Sequence, residues 1–394
     1  MPEMKRVVTS VARSALAPAL VALIIGSGFA AARLAHLDGD PSRFVGAGDK
    51  YADPARVPAD LDVQRHATGY DGQFFYRLSL DPLSREQTEF GIKFDSASAR
   101  HQRILYPLLI WILSRSHVRS TTSLLIMVNV ASYAGLGFLG ALFAREFGRS
   151  SWWGLIVPLY PGFIVTTALD LAENLASLLL LLGILFLMRK RWTAVALSFA
   201  AAAFTRETTL IVPGGLFLAW LLQRRSIPEK PRDRTPPFVF LVPIGLVVAW
   251  QLFLWVWWGS HPLFAAGRQF SFPFYSAVRQ IWTWFAHHTI EDLFQLMEFA
   301  FLATLILAGL RSSTRSRITS PLRTALLLSA GVALTFPAEI WMSQTNFLRA
   351  AVEPALVSTL ILMETAPAQL PLLGMSTLLF AAANVAVWTG VGRF

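Results

Sequence analysis

The chain has 394 residues, of which 54% are hydrophobic and only 15% are charged. This composition does not fit a water-soluble protein of that length, and it excludes disordered, collagen-like and disulfide-stapled classes. Because the chain has no cysteine, disulfides, thiolate nucleophiles and cysteine metal sites are also excluded. The net charge of +10 leaves nucleic acid as a candidate partner until the positions of the cations are considered.

Apolar stretches long enough to cross a bilayer recur along the chain. We predict an all-α, polytopic transmembrane bundle, a single membrane domain over residues 1–394. No small-residue cleavage site stands out before Arg33, which favours a retained first span over a signal peptide. The predicted spans number about eleven: 15–33, 121–144, 152–168, 171–188, 193–205, 208–222, 237–257, 293–310, 323–341, 349–363 and 371–390.

The loops between these predicted spans differ in charge. With the N-terminus inside, the inner segments carry 17 basic and 5 acidic residues, and the rest of the chain carries a net charge of −2. Short cytoplasmic loops retain basic residues, so we predict a multi-pass protein of the cell membrane with a cytoplasmic N-terminus and with 224–234 in the cytoplasm. Cations facing anionic lipid account for the net charge, and nucleic acid is not required as a partner.

Residues 34–120 form a large first outer loop under this topology. Between Gly69 and Pro82, aromatic and apolar residues recur at helical spacing, which predicts a short helix lying in the plane of the membrane surface. Pro82 disfavours helix at the residue before it. Asp71 opens the helix, where a carboxylate serves either as the N-cap or as a functional group, and Asp81 is typical of a turn. Both roles of Asp71 remain open at this stage.

A second stretch of the same loop, residues 101–111, is too short to span the membrane before Ser114. It predicts a second interfacial helix. Tyr106 and Trp111 suit the headgroup zone, and Arg103 would lie at the level of the lipid phosphates. Ordinary snorkelling of Arg103 is the alternative.

Ionisable residues also occur near the outer ends of later predicted spans. Such groups are costly inside a membrane and face a cavity or one another. A functional site and salt bridges between helices both explain them. The residues are Asp170, Glu173 with Asn174, Arg206 with Glu207, Glu339, and Arg349 with Glu353.

Residues 258–290 form a second outer loop that is rich in aromatic side chains. Aromatic rings stack on sugars, but this density is more typical of a membrane-interface belt. The pair His287-His288 is more typical of a loop than of a metal site, and we expect no obligatory metal. The aromatic residues are Trp258, Phe264, Phe270, Phe272, Phe274, Tyr275, Trp282, Trp284 and Phe285.

Four motifs, in their order along the chain, resemble the GT-C class of membrane glycosyltransferases. The likeness is closest to the family that adds the second mannose in GPI-anchor assembly and to its bacterial relatives. It extends to bacterial cell-surface glycopolymer proteins with a Tyr-Asp-Gly-Gln-aromatic motif. The resemblance covers roughly residues 65–220, and in the C-terminal part of the chain it depends on Arg349. Tyr70 stands where the eukaryotic members have tryptophan. The motifs are Tyr70–Tyr76, Arg103–Leu109, Glu173–Ala176 and Thr205–Glu207.

The resemblance implies a polyprenyl-phosphate-linked sugar as donor and a glycan, lipid or protein acceptor on the outer face, in a bacterial plasma membrane. It also implies inversion at the sugar and an acidic residue in the first outer loop. We assign Asp71 as the general base, with a pKa raised by partial burial. The leaving phosphate would be held by Arg103, Arg206 or Arg349. The resemblance assigns substrate binding to Tyr70, Gln73, Tyr76, Arg77, Tyr106, Glu173, Asn174 and Glu207.

Two other functions remain open on the sequence. A transporter or flippase of lipid-linked sugars would also need many spans and outer charges. A noncatalytic subunit of a glycopolymer assembly complex would differ only in lacking activity. Transporters place ionisable groups near the bilayer midplane, whereas this chain places them outward beside a large loop, which favours an enzyme.

Overall fold

The computed structural model describes residues 2–226, 235–265, 270–287, 289–316 and 318–391. This part of the chain is helical almost throughout, which confirms the all-α prediction. The helices of the first half are α1 (Pro2–His36), α2 (Gly72–Leu80), α3 (Ala97–His101), α4 (Leu105–Ser114), α5 (Val118–Glu146), α6 (Pro161–Ala168), α7 (Glu173–Met188), α8 (Trp192–Thr205) and α9 (Ile211–Ser226).

The second half continues in the same way and adds several short helices. Single 3₁₀ turns at Pro41–Phe44, Ser151–Ile156, Glu207–Leu210, Ser313–Arg315 and Pro367–Gln369 connect the longer elements. The helices are α10 (Phe238–Trp258), α11 (Pro262–Ala265), α12 (Tyr275–His287), α13 (Ile290–Ser312), α14 (Leu322–Ala333), α15 (Ala338–Trp341), α16 (Gln344–Ala350), α17 (Val352–Thr365) and α18 (Leu370–Trp388).

Four two-residue strands brace the first outer loop. β1 (Ala47–Gly48) pairs in parallel with β2 (Val63–Gln64), and β3 (Thr88–Glu89) pairs antiparallel with β4 (Ile92–Lys93). The loop is therefore a folded element and not an extended tail.

Within the described residues, five helices are long and apolar enough to cross a membrane: α1, α5, α10, α13 and α18. Helices α7, α8 and α9 have 16, 14 and 16 residues. At 1.5 Å per residue they extend roughly 21–24 Å, less than the hydrocarbon thickness of about 30 Å. The chain is thus a helical protein with five candidate spans by length and composition.

Three of the predicted spans are wrong as single helices. The stretch 152–168 divides into a 3₁₀ turn and α6, which begins at Pro161, and 323–341 divides into α14 and α15, which follows Pro337. Proline lacks the N–H that continues a helix and favours a new helix start. The stretch 349–363 is also interrupted, because Ala351 separates α16 from α17.

Small residues let neighbouring helices approach closely, as is usual between membrane helices. A Cβ atom on Gly183 of α7 would lie 2.5 Å from the ring of Phe199 on α8. A Cβ atom on Gly309 of α13 would lie 2.6 Å from the Ser358 hydroxyl on α17. These contacts hold α7 close to α8 and α13 close to α17.

The predicted helix in the first outer loop exists, but it does not lie on a surface. Helix α2 begins at Gly72 and ends at Leu80, and Asp81 before Pro82 is extended with φ −145°, as the proline predicts. All nine residues of α2 are buried. The in-plane amphipathic helix is therefore wrong, because the rest of the loop covers the face that would have met water.

The other interfacial predictions concern α4 and the second outer loop. In α4, Tyr106 and Ile110 are buried whereas Trp111, Ile112 and Leu113 of the last turn are exposed, so apolar surface at this end of the helix is free for lipid. In the loop 258–290, seven aromatic side chains are more than half exposed, as a membrane-interface belt would be. They are Phe264, Phe270, Phe272, Phe274, Tyr275, Trp282 and Phe285. Predictions for Lys230, Arg232, Arg234, His288 and Arg317 lie outside the described residues.

Candidate active site

Nine charged side chains from five separate parts of the chain meet beside the start of α2. We call this group the ion-pair network. Its members come from the turn before α2, the segment around α3, the start of α7, the junction of α8 with α9, and α16 with α17. They are Asp71, Asp95, Arg100, Arg103, Glu173, Arg206, Glu207, Arg349 and Glu353.

Asp71 lies among three guanidinium groups. Its Oδ1 is 2.7 Å from Nη1 of Arg100, and its Oδ2 is 2.8 Å from Nη2 of Arg349 and 3.8 Å from Nη1 of Arg103. The side chain is 17% exposed. Asp71 is therefore a partly accessible carboxylate held by arginines.

The two roles left open for Asp71 are now distinguishable. The residue occupies the N-cap position of α2, but its side chain makes no capping hydrogen bond. Burial opposes ionisation, yet Arg100, Arg349 and Arg103 outweigh it and hold the pKa of Asp71 well below its usual range. The expected rise in pKa is therefore wrong, because that expectation did not include the arginines.

Arg349 and Arg206 extend the network away from Asp71. Arg349 bridges two carboxylates, since its Nη1 is 3.3 Å from Oε1 of Glu173 while its Nη2 binds Asp71. Arg206 lies between Glu173 (Nε to Oε1, 3.7 Å) and Glu353 (Nη1 to Oε1, 3.3 Å), and its Nη1 donates to the carbonyl of Arg349. Arg206, Glu173 and Glu353 are buried. The pairing makes these buried charges tolerable.

Arg103 joins the network from the first outer loop. Its Nε and Nη2 donate to Oε2 and Oε1 of Glu207 at 2.8 and 2.7 Å, a bidentate fork. Burial opposes ionisation of Glu207, but Arg103 lowers the pKa of that carboxyl to about 2. Arg103 is thus tied to the α8–α9 junction, a more specific arrangement than snorkelling.

The network keeps unused hydrogen-bonding capacity. Within the described residues, Glu173 Oε2 and Arg206 Nε are buried without a hydrogen-bond partner. Such groups are expensive to bury and are uncommon in folded proteins. A ligand hydroxyl has the chemistry to donate to Glu173 Oε2, and a phosphate oxygen has the chemistry to accept from Arg206 Nε.

Two residues assigned to substrate binding, Gln73 and Arg77, instead make hydrogen bonds within the first outer loop. Gln73 Oε1 accepts from the N–H of Gly48, and Gln73 Nε2 donates to the carbonyl of Thr68. Arg77 donates to the carbonyls of Gln87 and Glu86, and its guanidinium lies 3.6 Å from the centroid of the Phe94 ring. These contacts hold the first outer loop together.

Two further candidates, Tyr106 and Asn174, belong to a buried group of polar side chains around Asn129. Tyr106 is buried, donates to the Leu125 carbonyl and accepts from Asn129 Nδ2 at 2.8 Å. Asn174 donates to Thr167 Oγ1 at 2.9 Å. The structure brings neither side chain into the network.

The tyrosines of the motif around Asp71 differ in position. Tyr76 is fully buried, and no partner for its hydroxyl lies within the described residues. Tyr70 lies at the network: its hydroxyl donates to Asn346 Oδ1, and the guanidinium of Arg349 lies 5.0 Å from its ring centroid. Tyr70 therefore forms one wall beside Asp71.

Two members of the network, Asp95 and Arg100, were not predicted from the sequence. Glu339, which was predicted beside the other charged residues, is not a member of the network. Arg100 binds Asp71 and also Asp95 through Nε and Nη2, at 2.8 and 2.6 Å. The three-residue spacing between Arg100 and Arg103 was the available signal. Glu339 is exposed and is joined to the region through its carbonyl, which accepts from Asn346.

The first outer loop contains two Asp-x-Asp sequences, Asp38-Gly39-Asp40 and Asp60-Leu61-Asp62, so an expectation that the chain lacks such a pair is wrong. Asp38 binds Arg43 at 2.9 Å, and Asp40 Oδ1 accepts from the N–H of Ser42. Asp62 lies 3.5 Å from Arg43. In the part of the chain that the structure describes, no three histidine or acidic side chains are grouped as ligands of a metal ion.

We compared the chain with models of protein families, with curated proteins and with solved structures, and none of the three comparisons found a match. Functional inference for this protein consequently rests on the geometry of the ion-pair network and on the motifs in its sequence.

Proposed function

We propose that the protein is a membrane glycosyltransferase that moves a sugar from a polyprenyl-phosphate donor to an acceptor on the outer face, with inversion and with Asp71 as base. The observation that carries this proposal is the contact of an ionised, partly exposed carboxylate with three arginine forks. Such a site combines a proton acceptor with groups that bind phosphate.

The reaction requires one bond to form and one to break. The acceptor oxygen attacks the anomeric carbon, the bond from that carbon to the phosphate oxygen breaks, and polyprenyl phosphate leaves with the electron pair. The hydroxyl proton passes to the Asp71 carboxylate. Arginine forks neutralise the charge that develops on the departing phosphate.

The low pKa of Asp71 couples the binding of the donor phosphate to the transfer of the acceptor proton. A carboxylate held by three arginines is ionised but weakly basic. A donor phosphate competes for the same guanidinium groups, and Arg349 and Arg103 would shift their hydrogen bonds toward it. Losing these partners raises the basicity of Asp71 when the donor is in place. The acceptor proton is then taken only in the presence of the donor.

The test is an assay of purified protein in lipid with a panel of polyprenyl-phosphate sugars, measuring transfer and donor hydrolysis. We expect turnover with at least one donor. Movement of intact donor between leaflets without turnover would instead establish a transporter, and neither activity would leave a noncatalytic subunit.

A variant pair examines the phosphate role. Arg349→Lys keeps the charge but loses the planar fork, so we expect a higher KM for the donor. Arg189→Lys is the control, because the Arg189 guanidinium also binds a carboxylate, that of Glu146, but at the far end of α7. Unchanged donor KM in Arg349→Lys contradicts the phosphate role.

A further inference from the structure

A cavity lies at the ends of α7 and α8 that are opposite to the ion-pair network. Helix α7 begins at Glu173 in the network and ends at Met188, and α8 begins at Trp192 and ends next to Arg206. Met188 and Trp192 both line the cavity, whose volume is about 220 Å³. We call it the distal cavity. About 24 Å of helix separates the two sites.

The wall of the distal cavity is apolar. Ile184 and Leu187 of α7, Leu216 of α9 and Phe240 of α10 contribute hydrocarbon surface. Ile184, Leu216 and Phe240 are at most 3% exposed, so the floor of the cavity belongs to the protein core. A space of this kind suits a segment of hydrocarbon chain better than a polar metabolite.

The rim of the cavity is polar and cationic. Lys190 and Gln223 line the rim, and both are exposed. The Arg224 guanidinium lies 4.0 Å from the ring centroid of Trp220, a wall residue. Among the described lining residues none is acidic. A cavity with an apolar floor and a cationic rim is complementary to an anionic amphiphile.

The carboxylate of Glu364 lies behind this wall and already accepts several hydrogen bonds. Glu364 accepts from the backbone N–H groups of Ile318 and Thr319 and from the hydroxyl of Ser316. These bonds fix the segment that closes one side of the cavity. These bonds hold the Glu364 carboxylate against that segment, and Lys190 is the charged residue among the described lining residues of the cavity.

We propose that the distal cavity binds an anionic phospholipid, with part of an acyl chain on Leu216 and Phe240 and the phosphate at Lys190. Basic pockets between membrane helices bind anionic headgroups, and one cation near such a surface contributes about a fivefold preference. The loops at this end carry much of the excess of basic residues in the chain. The bound lipid therefore comes from the leaflet that these loops face.

Native mass spectrometry measures this binding directly. The full-length protein in detergent is titrated with dioleoyl phosphatidylglycerol and with dioleoyl phosphatidylcholine, which have the same chains. We expect the wild type to retain phosphatidylglycerol preferentially and Lys190→Gln to lose about fivefold of that preference. The matched control is Arg189→Gln, since the neighbouring Arg189 is paired with Glu146 and does not line the cavity.

A second pair of variants tests the chain-binding floor. Leu216→Phe fills the cavity and should lower retention of both lipids, whereas Leu218→Phe on the exposed side of α9 should not. Three results would overturn the proposal: equal retention of the two lipids, the same loss in Arg189→Gln as in Lys190→Gln, or competition by glycerol 1-phosphate as effective as by whole lipid. If Leu216→Phe does not fold, the Lys190 and Arg189 comparison decides alone, because both side chains are exposed.

Discussion

At the scale of single residues, the arginines of the network are shared and not paired one to one. Arg349 binds both Asp71 and Glu173, and Arg100 binds both Asp71 and Asp95. Removing one carboxylate therefore leaves each of these arginines with another partner. This sharing makes neutral substitutions at Asp71 informative, because the fold retains compensation for the neighbouring charges.

We predict that Asp71→Asn lowers the rate of transfer by on the order of 10²-fold or more, the usual contribution of a positioned base. Stability should fall by about 1–3 kcal/mol, since hydrogen bonds to charged groups are lost. The measurements are single-turnover transfer and thermal unfolding in detergent. A loss of turnover fully explained by unfolded protein would assign Asp71 a structural role.

Asp81→Asn is the control for this prediction. Asp81 ends α2, and its Oδ1 accepts from the N–H of Leu83 at 3.1 Å, as a turn residue does. Asparagine makes the same bond, so transfer and stability should stay near those of the wild type. If Asp81→Asn abolishes transfer while Asp71→Asn preserves it, the base is Asp81.

Glu207 gives a prediction with a defined pH window. Arg103 lowers its pKa to about 2 in the folded protein, against an ordinary value of 4.5. The folded carboxylate thus stays charged where the unfolded one is protonated, so its contribution to stability is complete above pH 4.5 and is lost as the pH falls toward 2. We expect Tm to drop across that window in the wild type and to drop less steeply in Glu207→Gln. Parallel curves for the two proteins would refute the assignment.

At the scale of elements, the start of α2 depends on one glycine. A Cβ atom on Gly72 would lie 2.5 Å from the carbonyl oxygen of Val45 and 2.7 Å from that of Leu169. Both neighbours are backbone atoms, which cannot rotate away. The close approach therefore holds Asp71, the preceding residue, beside the end of α6.

We predict that Gly72→Ala destabilises the protein by about 1–3 kcal/mol, as overpacking does, and lowers transfer by displacing Asp71. Gly214→Ala is the matched control, because Gly214 lies inside α9 with nothing within 4 Å of an added Cβ atom. That change should raise stability by up to about 1 kcal/mol. Thermal unfolding of both variants is the measurement. Equal Tm values for Gly72→Ala and the wild type would show that the neighbouring backbone accommodates the added Cβ atom.

Local signals were enough to predict the bounds of α2 and most of the charged residues that cluster beside it, but not their pairing. Asp71 and Pro82 mark where α2 begins and ends. The bond between Asp71 and Arg349 joins residues 278 positions apart, and it depends on how α16 meets α7, which periodicity does not encode. The burial of α2 was hidden because Arg77 looks solvent-seeking in sequence, whereas here backbone carbonyls satisfy it.

At the scale of the whole molecule, the two ends of the bundle differ in the kind of charge that they carry. One end holds a network in which arginines and carboxylates compensate each other. The other end carries exposed cations such as Lys190 and Arg191 on short connections. Lysines and arginines in short loops stay in the cytoplasm during insertion, whereas long loops such as residues 34–120 are translocated largely regardless of their charge.

We predict on this basis that the network faces outward and the distal cavity faces the cytoplasm. Because the chain has no cysteine, single cysteines report the topology directly. Ala55→Cys places a thiol on the exposed part of the first outer loop, and Ser150→Cys places one on the exposed turn after α5. Neither change alters a charge, so neither alters the bias that orients the protein. An impermeant thiol reagent should label position 55 in intact cells and position 150 only after the cells are opened. The reverse pattern would place the network in the cytoplasm, where the proposed outer-face donor and acceptor could not reach Asp71.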